Sequence, residues 1–351
     1  MAGGSGTRFW PASRRDRPKQ LLELISTAPL LRLTFERLET LVPPERVWVI
    51  TTQTTAAACG RVLPEVPGRN ILAEPVGRNT AACVGLAAHA IGAEDSDAVC
   101  LVLPADHLIG DEDQFRSAME AGANLVSNEG GLLTFGIQPT RPETGYGYLE
   151  LGENHARSGQ WTIHHLRAFV EKPDAERAEE YVSSGRHLWN AGIFAWRVRD
   201  LLAEMGRQLP DLAAGLERIG DARSSADATG ILAEVYPTLP ATSVDHGIME
   251  GARKRWVLPV DFPWSDVGSW PALADELPTD DEGNASRGRI AALDSSHNVL
   301  VSTGPVLAVV GIEDLVVVAT PDAVLVVPKD LAQRVKDVVD RLRDLGWDDV
   351  L

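Results

Sequence analysis

Gly3, Gly4 and Gly6 fall within four residues of one another, with the small hydroxyl residues Ser5 and Thr7 beside them. A turn of this kind lets the backbone approach a ligand with no Cβ in the way. It also aims several N–H groups to one side, which suits phosphate oxygens. Arg8 would add a planar fork of donors, and Lys19, after Pro18, a point charge. Residues 1–22 carry Arg8, Arg14, Arg15, Arg17 and Lys19 against the single acid Asp16, while the whole chain has a formal net charge of −17. A local positive excess inside an acidic chain points to a small polyanion. Glycines and charge alone fit a flexible arm or a nucleic-acid contact equally well. Two relatives of the pattern are absent: there is no Gly-x-x-x-x-Gly-Lys-Ser/Thr, and Phe9 stands where the dinucleotide fingerprint has its last glycine.

Other residues carry chemistry further along. Asp106, in Pro104-Ala-Asp-His, directly follows the apolar run 98–103, and ligands of open α/β sheets bind beyond the carboxyl ends of strands. A carboxylate there fits Mg²⁺, which takes one or two protein carboxylates plus phosphate oxygens, and equally fits a turn cap. Asp266, in Trp264-Ser-Asp-Val-Gly-Ser-Trp, is the natural second carboxylate, or the N-cap of a helix near Pro271. Glu171-Lys172-Pro173 sets a cation and an acceptor at a strand end, where a plain exposed ion pair would look the same. Gly145-Tyr-Gly-Tyr offers close backbone approach, and Asn79 reads as a good helix N-cap. His107 has no second histidine at ligand spacing and reads as structural; His164 and His165 are adjacent, so on a strand they face opposite ways.

The elements that would position these residues alternate. Helices are expected over 29–41, 54–63 and 80–93, with strands over 46–51, 70–73 and 98–103. This spacing argues for an α/β fold built on a doubly wound, mostly parallel, Rossmann-like sheet. Strands are expected at 131–137, 147–151, 162–170, 193–197 and 254–261, a helix at 175–184, and helices through 199–236 broken near Pro210 and Arg223. From about residue 281 short β runs follow one another (298–302, 306–310, 315–319, 323–327), closed by a helix over 331–345. The expected division is a domain at 1–280 and a small β-rich domain at 281–351.

Ala2-Gly-Gly-Ser-Gly-Thr-Arg-Phe-Trp-Pro with Pro18-Lys19 resembles the signature loop of the sugar-nucleotide pyrophosphorylase family, and within it the mannose-1-phosphate guanylyltransferases. The likeness continues in order through Glu74-Pro-Val-Gly-Arg-Asn-Thr-Ala, Pro104-Ala-Asp-His, Gly145-Tyr-Gly-Tyr, Phe169-Val-Glu-Lys-Pro, Asn190-Ala-Gly-Ile-Phe and the Trp264 motif. The resemblance implies GMP transfer from GTP to mannose 1-phosphate, giving GDP-mannose and pyrophosphate. It implies nucleotide binding by Gly3, Gly4, Ser5, Gly6, Thr7, Arg8, Lys19, Glu74, Asn79, Thr80 and Asp106. Sugar-phosphate binding falls to Gly147, Glu171, Lys172 and Asn190, catalysis to Arg8, Lys19 and Lys172, and Mg²⁺ to Asp106 and Asp266. It further implies a left-handed β-helix-like C-terminal domain and association into a homo-oligomer. The chain departs from the family at His246, where a tyrosine is common. The family carries an apolar strand ahead of the Ala-Gly-Gly, so Met1 is expected to be an internal residue; transferase activity alone, without a further isomerase domain, is also expected. Two rivals stand beside this reading: a thymidylyl- or uridylyltransferase for glucose 1-phosphate, and a non-catalytic nucleotide-sugar-binding regulatory subunit.

The composition agrees with a soluble globular chain, 44% hydrophobic and 24% charged. No apolar run approaches the roughly 20 residues that span a bilayer. No signal peptide opens the chain, and the cytoplasm is the simple reading. The acidic balance argues against general nucleic-acid binding. Cys59, Cys83 and Cys100 are scattered in apolar surroundings, as expected of buried thiols.

Overall fold

The fold is described from a computed structural model that describes residues 1–4 and 6–351; Ser5, expected in the phosphate loop, lies outside the described residues. The first half alternates as the apolar periodicity requires: α1 (Leu30–Glu36), β1 (Val49–Thr52), α2 (Ala56–Val62), β2 (Ile71–Glu74), α3 (Asn79–Gly92) and β3 (Val99–Val102). After the short β4 (Leu108–Ile109) come α4 (Glu112–Glu129) and β5 (Leu132–Ile137). The chain continues through β6 (Gly147–Ser158), β7 (Trp161–Glu171), α5 (Ala175–Ser184) and β8 (His187–Arg197). Three helices follow, α6 (Val198–Gln208), α7 (Pro210–Ala222) and α8 (Ala228–Val235), then β9 (Arg255–Val260), β10 (Trp264–Ser265) and α9 (Trp270–Ala274).

The 18-residue α4 is not among the elements expected from the sequence. Its end signals are nonetheless legible: the Asp111 carboxylate accepts from the Gln114 N–H, and Gly130 leaves the helix at φ 73°.

The central sheet has six strands in the order β3-β8-β5-β9-β7-β6. Of its pairings only β5–β9 runs parallel. The α/β class holds, but this sheet is mixed rather than mostly parallel. The reason is the chain between β5 and β8. A parallel neighbour needs a crossover of a dozen or more residues, whereas β6 turns straight into β7 at Gly159. The parallel character sits at the other edge, where β1 pairs with β2. There the Ala2 N–H donates to Ile50 O at 2.8 Å and the Ala105 N–H to Met1 O at 3.0 Å, so residues 1–2 join β1 to the loop after β3. A cavity of about 690 Å³ lined by β1, β3 and α3 lies beside them.

Alternation along the strands builds one core on each side. Leu132, Phe194 and Trp196 pack with α3, α6 and α7, while Leu133, Phe135 and Ala195 pack with α4. Both layers cover the sheet whose strands β3 and β7 lead into the loops with Asp106 and Lys172.

The C-terminal part comprises β11 (Ala285–Arg287), β12 (Ile290–Leu293), β13 (Val299–Ser302), β14 (Leu307–Val310), β15 (Leu315–Ala319), β16 (Val324–Pro328) and α10 (Val335–Asp344). β11, β13 and β15 stack in parallel, as do β12 and β14, which is a coil wound on itself. Asn298, wholly buried, ties the coils together: it donates to Asn284 Oδ1 at 2.9 Å and to Ile312 O at 3.0 Å, and accepts from the Leu315 N–H at 2.9 Å. This coil shares a core with the N-terminal loop, because Phe9, Trp10, Leu30, Val267 and Trp270 pack with Val299, Val316, Val339 and Leu342. The Trp10 indole donates to Val350 O at 2.8 Å, and Arg14 pairs with Asp322 at 3.0 Å.

Candidate active site

The glycine loop is fitted closely around Lys19. Gly6 has φ 60°, and a Cβ there would stand 2.5 Å from Lys19 Cβ and 2.8 Å from its backbone nitrogen. Only glycine combines that left-handed backbone with that approach. Ser13 Oγ donates to Gly6 O at 2.9 Å and fixes the turn, while a Cβ on Gly4 would meet nothing within 4 Å. Gly3 faces Glu74, whose Oε2 lies 3.0 Å from where its Cβ would be. Thr7 and Arg8 form a single 3₁₀ turn with Phe9; Phe9 is buried and Arg8 is exposed.

Lys19 is 5% exposed, and its ammonium donates to Asp106 Oδ2 at 2.9 Å and to the main-chain oxygen of Asp266 at 2.5 Å. Burial works against the Asp106 charge. The Lys19 ammonium outweighs it and holds this carboxyl below the ordinary range. Asp266 is not a helix cap; Ser269 precedes α9 instead. Its Oδ1 accepts from the Tyr146 hydroxyl at 2.7 Å and from the Gly268 N–H at 3.1 Å. The next residue, Val267, is buried at φ 43°, a conformation that β-branched residues rarely adopt. His107 is structural, as expected: its Nδ1 accepts from the Trp264 indole at 3.3 Å, joining the Asp106 loop to the Asp266 loop. Burial lowers its pKa, which keeps it neutral and able to accept.

A second group forms beside the first. Glu171 pairs with Gly147 across β6–β7, and a Cβ on Gly147 would meet Glu171 Oε2 at 2.6 Å and Asn190 Cβ at 3.4 Å. Gly147, Glu171 and Asn190 therefore touch. Lys172 is exposed at φ 49°, with Nζ 2.7 Å from Glu171 Oε1 and its N–H donating to Tyr146 O at 3.2 Å. The Asn190 amide is fully oriented. Its oxygen accepts from Thr134 Oγ1 at 2.9 Å and the Gly192 N–H at 3.2 Å, and its nitrogen donates to Asp245 Oδ1 at 2.8 Å. Burial, then the nearby Glu171 charge, pushes the Asp245 carboxyl up to about 6.

The loop before α3 is spent largely on the protein itself. Glu74 is buried and accepts from the Tyr236 hydroxyl; burial raises its pKa. Thr80 Oγ1 accepts from the Val244 N–H at 2.8 Å. Asn79 does not cap α3 from outside: it is the first residue of the helix at φ 63°, exposed, with Oδ1 accepting from its neighbour Thr80 at 2.8 Å.

The chain matches the family model described as "Nucleotidyl transferase" over residues 1–282 and the "MannoseP isomerase/GMP-like beta-helix domain" over 288–342. A mannose-1-phosphate guanylyltransferase of Klebsiella pneumoniae is 38% identical over 346 residues, covering 98% of this chain and 73% of that protein. One from Escherichia coli strain K12 is also 38% identical, covering 99% and 73%. The chain belongs to the mannose-1-phosphate guanylyltransferase family. A solved structure described as a mannose-1-phosphate geranyltransferase from Thermus thermophilus agrees at a TM-score of 0.86 and 40% identity, with 98% of each chain covered.

Nucleotidyltransferases of this family work with a divalent metal. The donor set here suits one shared with a substrate. Among the described residues no group of three or more His, Cys, Asp and Glu could hold an ion alone. Asp106 Oδ1 and Asp266 Oδ2 accept no hydrogen bond among the described residues, leaving two hard oxygens for a cation completed by phosphate oxygens. Sequence reasoning misses two side chains that the structure brings into this candidate site, through Asp266 and Asn190. Tyr146 stands within the Gly145-Tyr-Gly-Tyr motif, whose signal in the sequence is backbone approach alone. Asp245 lies next to His246, which draws attention by departing from the family; His246 itself is exposed and faces Glu250 at 2.9 Å.

Proposed function

We propose that this protein makes GDP-mannose and pyrophosphate from GTP and mannose 1-phosphate, with Mg²⁺ as its metal and the cytoplasm as its compartment. The observation that carries the reading is the contact of Lys19 with Asp106 and Asp266, beside the touching trio of Gly147, Glu171 and Asn190. A phosphate oxygen of the sugar phosphate attacks the α-phosphorus of GTP. The bond from that phosphorus to the bridging oxygen breaks, and pyrophosphate leaves with the electron pair. No proton transfer is required, because the nucleophile is already an anion.

The protein's work is alignment and neutralisation. The backbone of Gly3, Gly4 and Gly6, with Thr7, Arg8 and Lys19, holds the triphosphate; Glu74 acts from beneath, packed against Gly3. Lys172 holds the sugar phosphate, while Glu171 and Asn190 meet sugar hydroxyls. Asn79 and Thr80 border the base. Asp106 and Asp266 would hold the Mg²⁺, which when bound would neutralise negative charge on the phosphate oxygens around the reacting phosphorus. We place residues 1–280 in the catalytic domain and 281–351 in the β-rich domain. The test of the chemistry is the stereochemical course at a chiral α-thiophosphate analogue of GTP. Direct in-line displacement gives inversion; retention would require a covalent intermediate and overturn this route.

A further inference from the structure

The two halves of the site meet in one side chain. Tyr146 donates from its hydroxyl to Asp266 Oδ1 at 2.7 Å, while its main-chain oxygen accepts from the Lys172 N–H at 3.2 Å. Its ring is held edge-on between Trp189, at 5.2 Å and 83°, and Trp264, at 5.4 Å and 74°. Two such aromatic contacts fix the ring plane and therefore the direction in which the hydroxyl points. Asp266 Oδ1 also accepts from the Gly268 N–H at 3.1 Å, which settles the carboxylate on that side.

We propose that Tyr146 is a positioning residue for the divalent ion: by occupying Asp266 Oδ1 it presents Oδ2 to the metal and sets the carboxylate's rotation. The inference rests on the reading of Asp266 as a metal ligand. Groups that orient a ligating carboxylate commonly contribute ten- to a hundredfold to metal affinity. Tyr146 also joins the ion's carboxylate to the backbone that carries Lys172, so ion and sugar phosphate are held from one residue.

The test is Mn²⁺ titrated into the purified full chain in the presence of GTP, with GTP alone as the blank, and followed by electron paramagnetic resonance of the free ion. Tyr146→Phe keeps the ring and its packing and removes only the hydroxyl. Its Mn²⁺ affinity is expected to fall about tenfold, with an unchanged thermal unfolding midpoint. The same substitution in an Asp266→Asn background is expected to change nothing further, because the hydroxyl acts through that carboxylate. Unchanged affinity in Tyr146→Phe, when Asp266→Asn does weaken binding, overturns the role of Tyr146. An equal loss in both backgrounds overturns the route through Asp266. If Asp266→Asn leaves Mn²⁺ binding intact, the metal-ligand reading fails and this inference fails with it.

Discussion

Lys19 Nζ lies 2.9 Å from Asp106 Oδ2 and 2.5 Å from the main-chain oxygen of Asp266, so one buried ammonium joins the loop after β3 to the loop after β10. Lys19→Ala removes both contacts and leaves the Asp106 carboxylate without its neutralising partner. Turnover is expected to fall by about 10²-fold or more, in line with the loss of a group that stabilises developing charge. Lys19→Arg is not expected to restore it, since the wider planar fork does not replace a point charge in this space. Steady-state kinetics beside circular dichroism decide the matter: near-normal turnover in folded Lys19→Ala removes the residue from the mechanism.

Gly6→Ala tests the loop geometry. Its φ of 60° and the 2.5 Å approach to Lys19 Cβ make the methyl doubly unwelcome. A loss of about 1–3 kcal/mol in unfolding free energy is expected, as for other strained backbone positions. Gly4→Ala meets nothing within 4 Å and should cost clearly less. Chemical denaturation of the two variants compares them, and equal midpoints would contradict the packing described.

The Asp245 carboxyl makes stability depend on pH. Burial, and then Glu171, raise its pKa in the folded chain to about 6, above the ordinary aspartate value. Across pH 4.5 to 7 the folded form therefore holds more proton than the unfolded form, and this group's contribution declines as pH rises. Asp245→Asn stays neutral throughout. Relative to the parent, it should gain about 1–2 kcal/mol of stability at pH 7 compared with pH 4.5. Urea titrations of both proteins at the two pH values measure the difference. A difference independent of pH would show that Asp245 is ionised normally.

The shared core between the N-terminal loop and the C-terminal coil predicts that the rest of the chain needs the coil to fold. Removing residues 281–351 would expose Phe9, Trp10, Val267 and Trp270, which now pack with Val299, Val316 and Leu342. A chain of residues 1–280 is expected to lose its cooperative thermal transition or aggregate. A soluble 1–280 fragment with a sharp transition would contradict this dependence.

Much of this architecture is legible in the chain. The helix over 175–184 matches its expected bounds, and the breaks near Pro210 and Arg223 fall where α6, α7 and α8 separate. Proline and short polar breaks are local signals, so they survive any tertiary context. Strand direction is not local. Nothing within β6, β7 or β8 states which neighbour each will take, and the antiparallel returns become visible only with the register. The candidate site divides in the same way. Lys19, Asp106 and Asp266 are the charged groups that meet in the candidate site, and residue type announces them. Tyr146 and Asp245 enter through hydrogen bonds to Asp266 and Asn190, contacts that span 120 and 55 residues and are not visible in the chain.

Pyrophosphate release reports the transfer of a guanylyl group to a sugar phosphate. Purified protein would be given Mg²⁺ and mannose 1-phosphate with each of GTP, ATP, UTP and dTTP in turn. Release that is selective for GTP and dependent on mannose 1-phosphate, with GDP-mannose as the second product, is the predicted result. Preferred release with dTTP or UTP, or none with any nucleotide from folded protein, would contradict it.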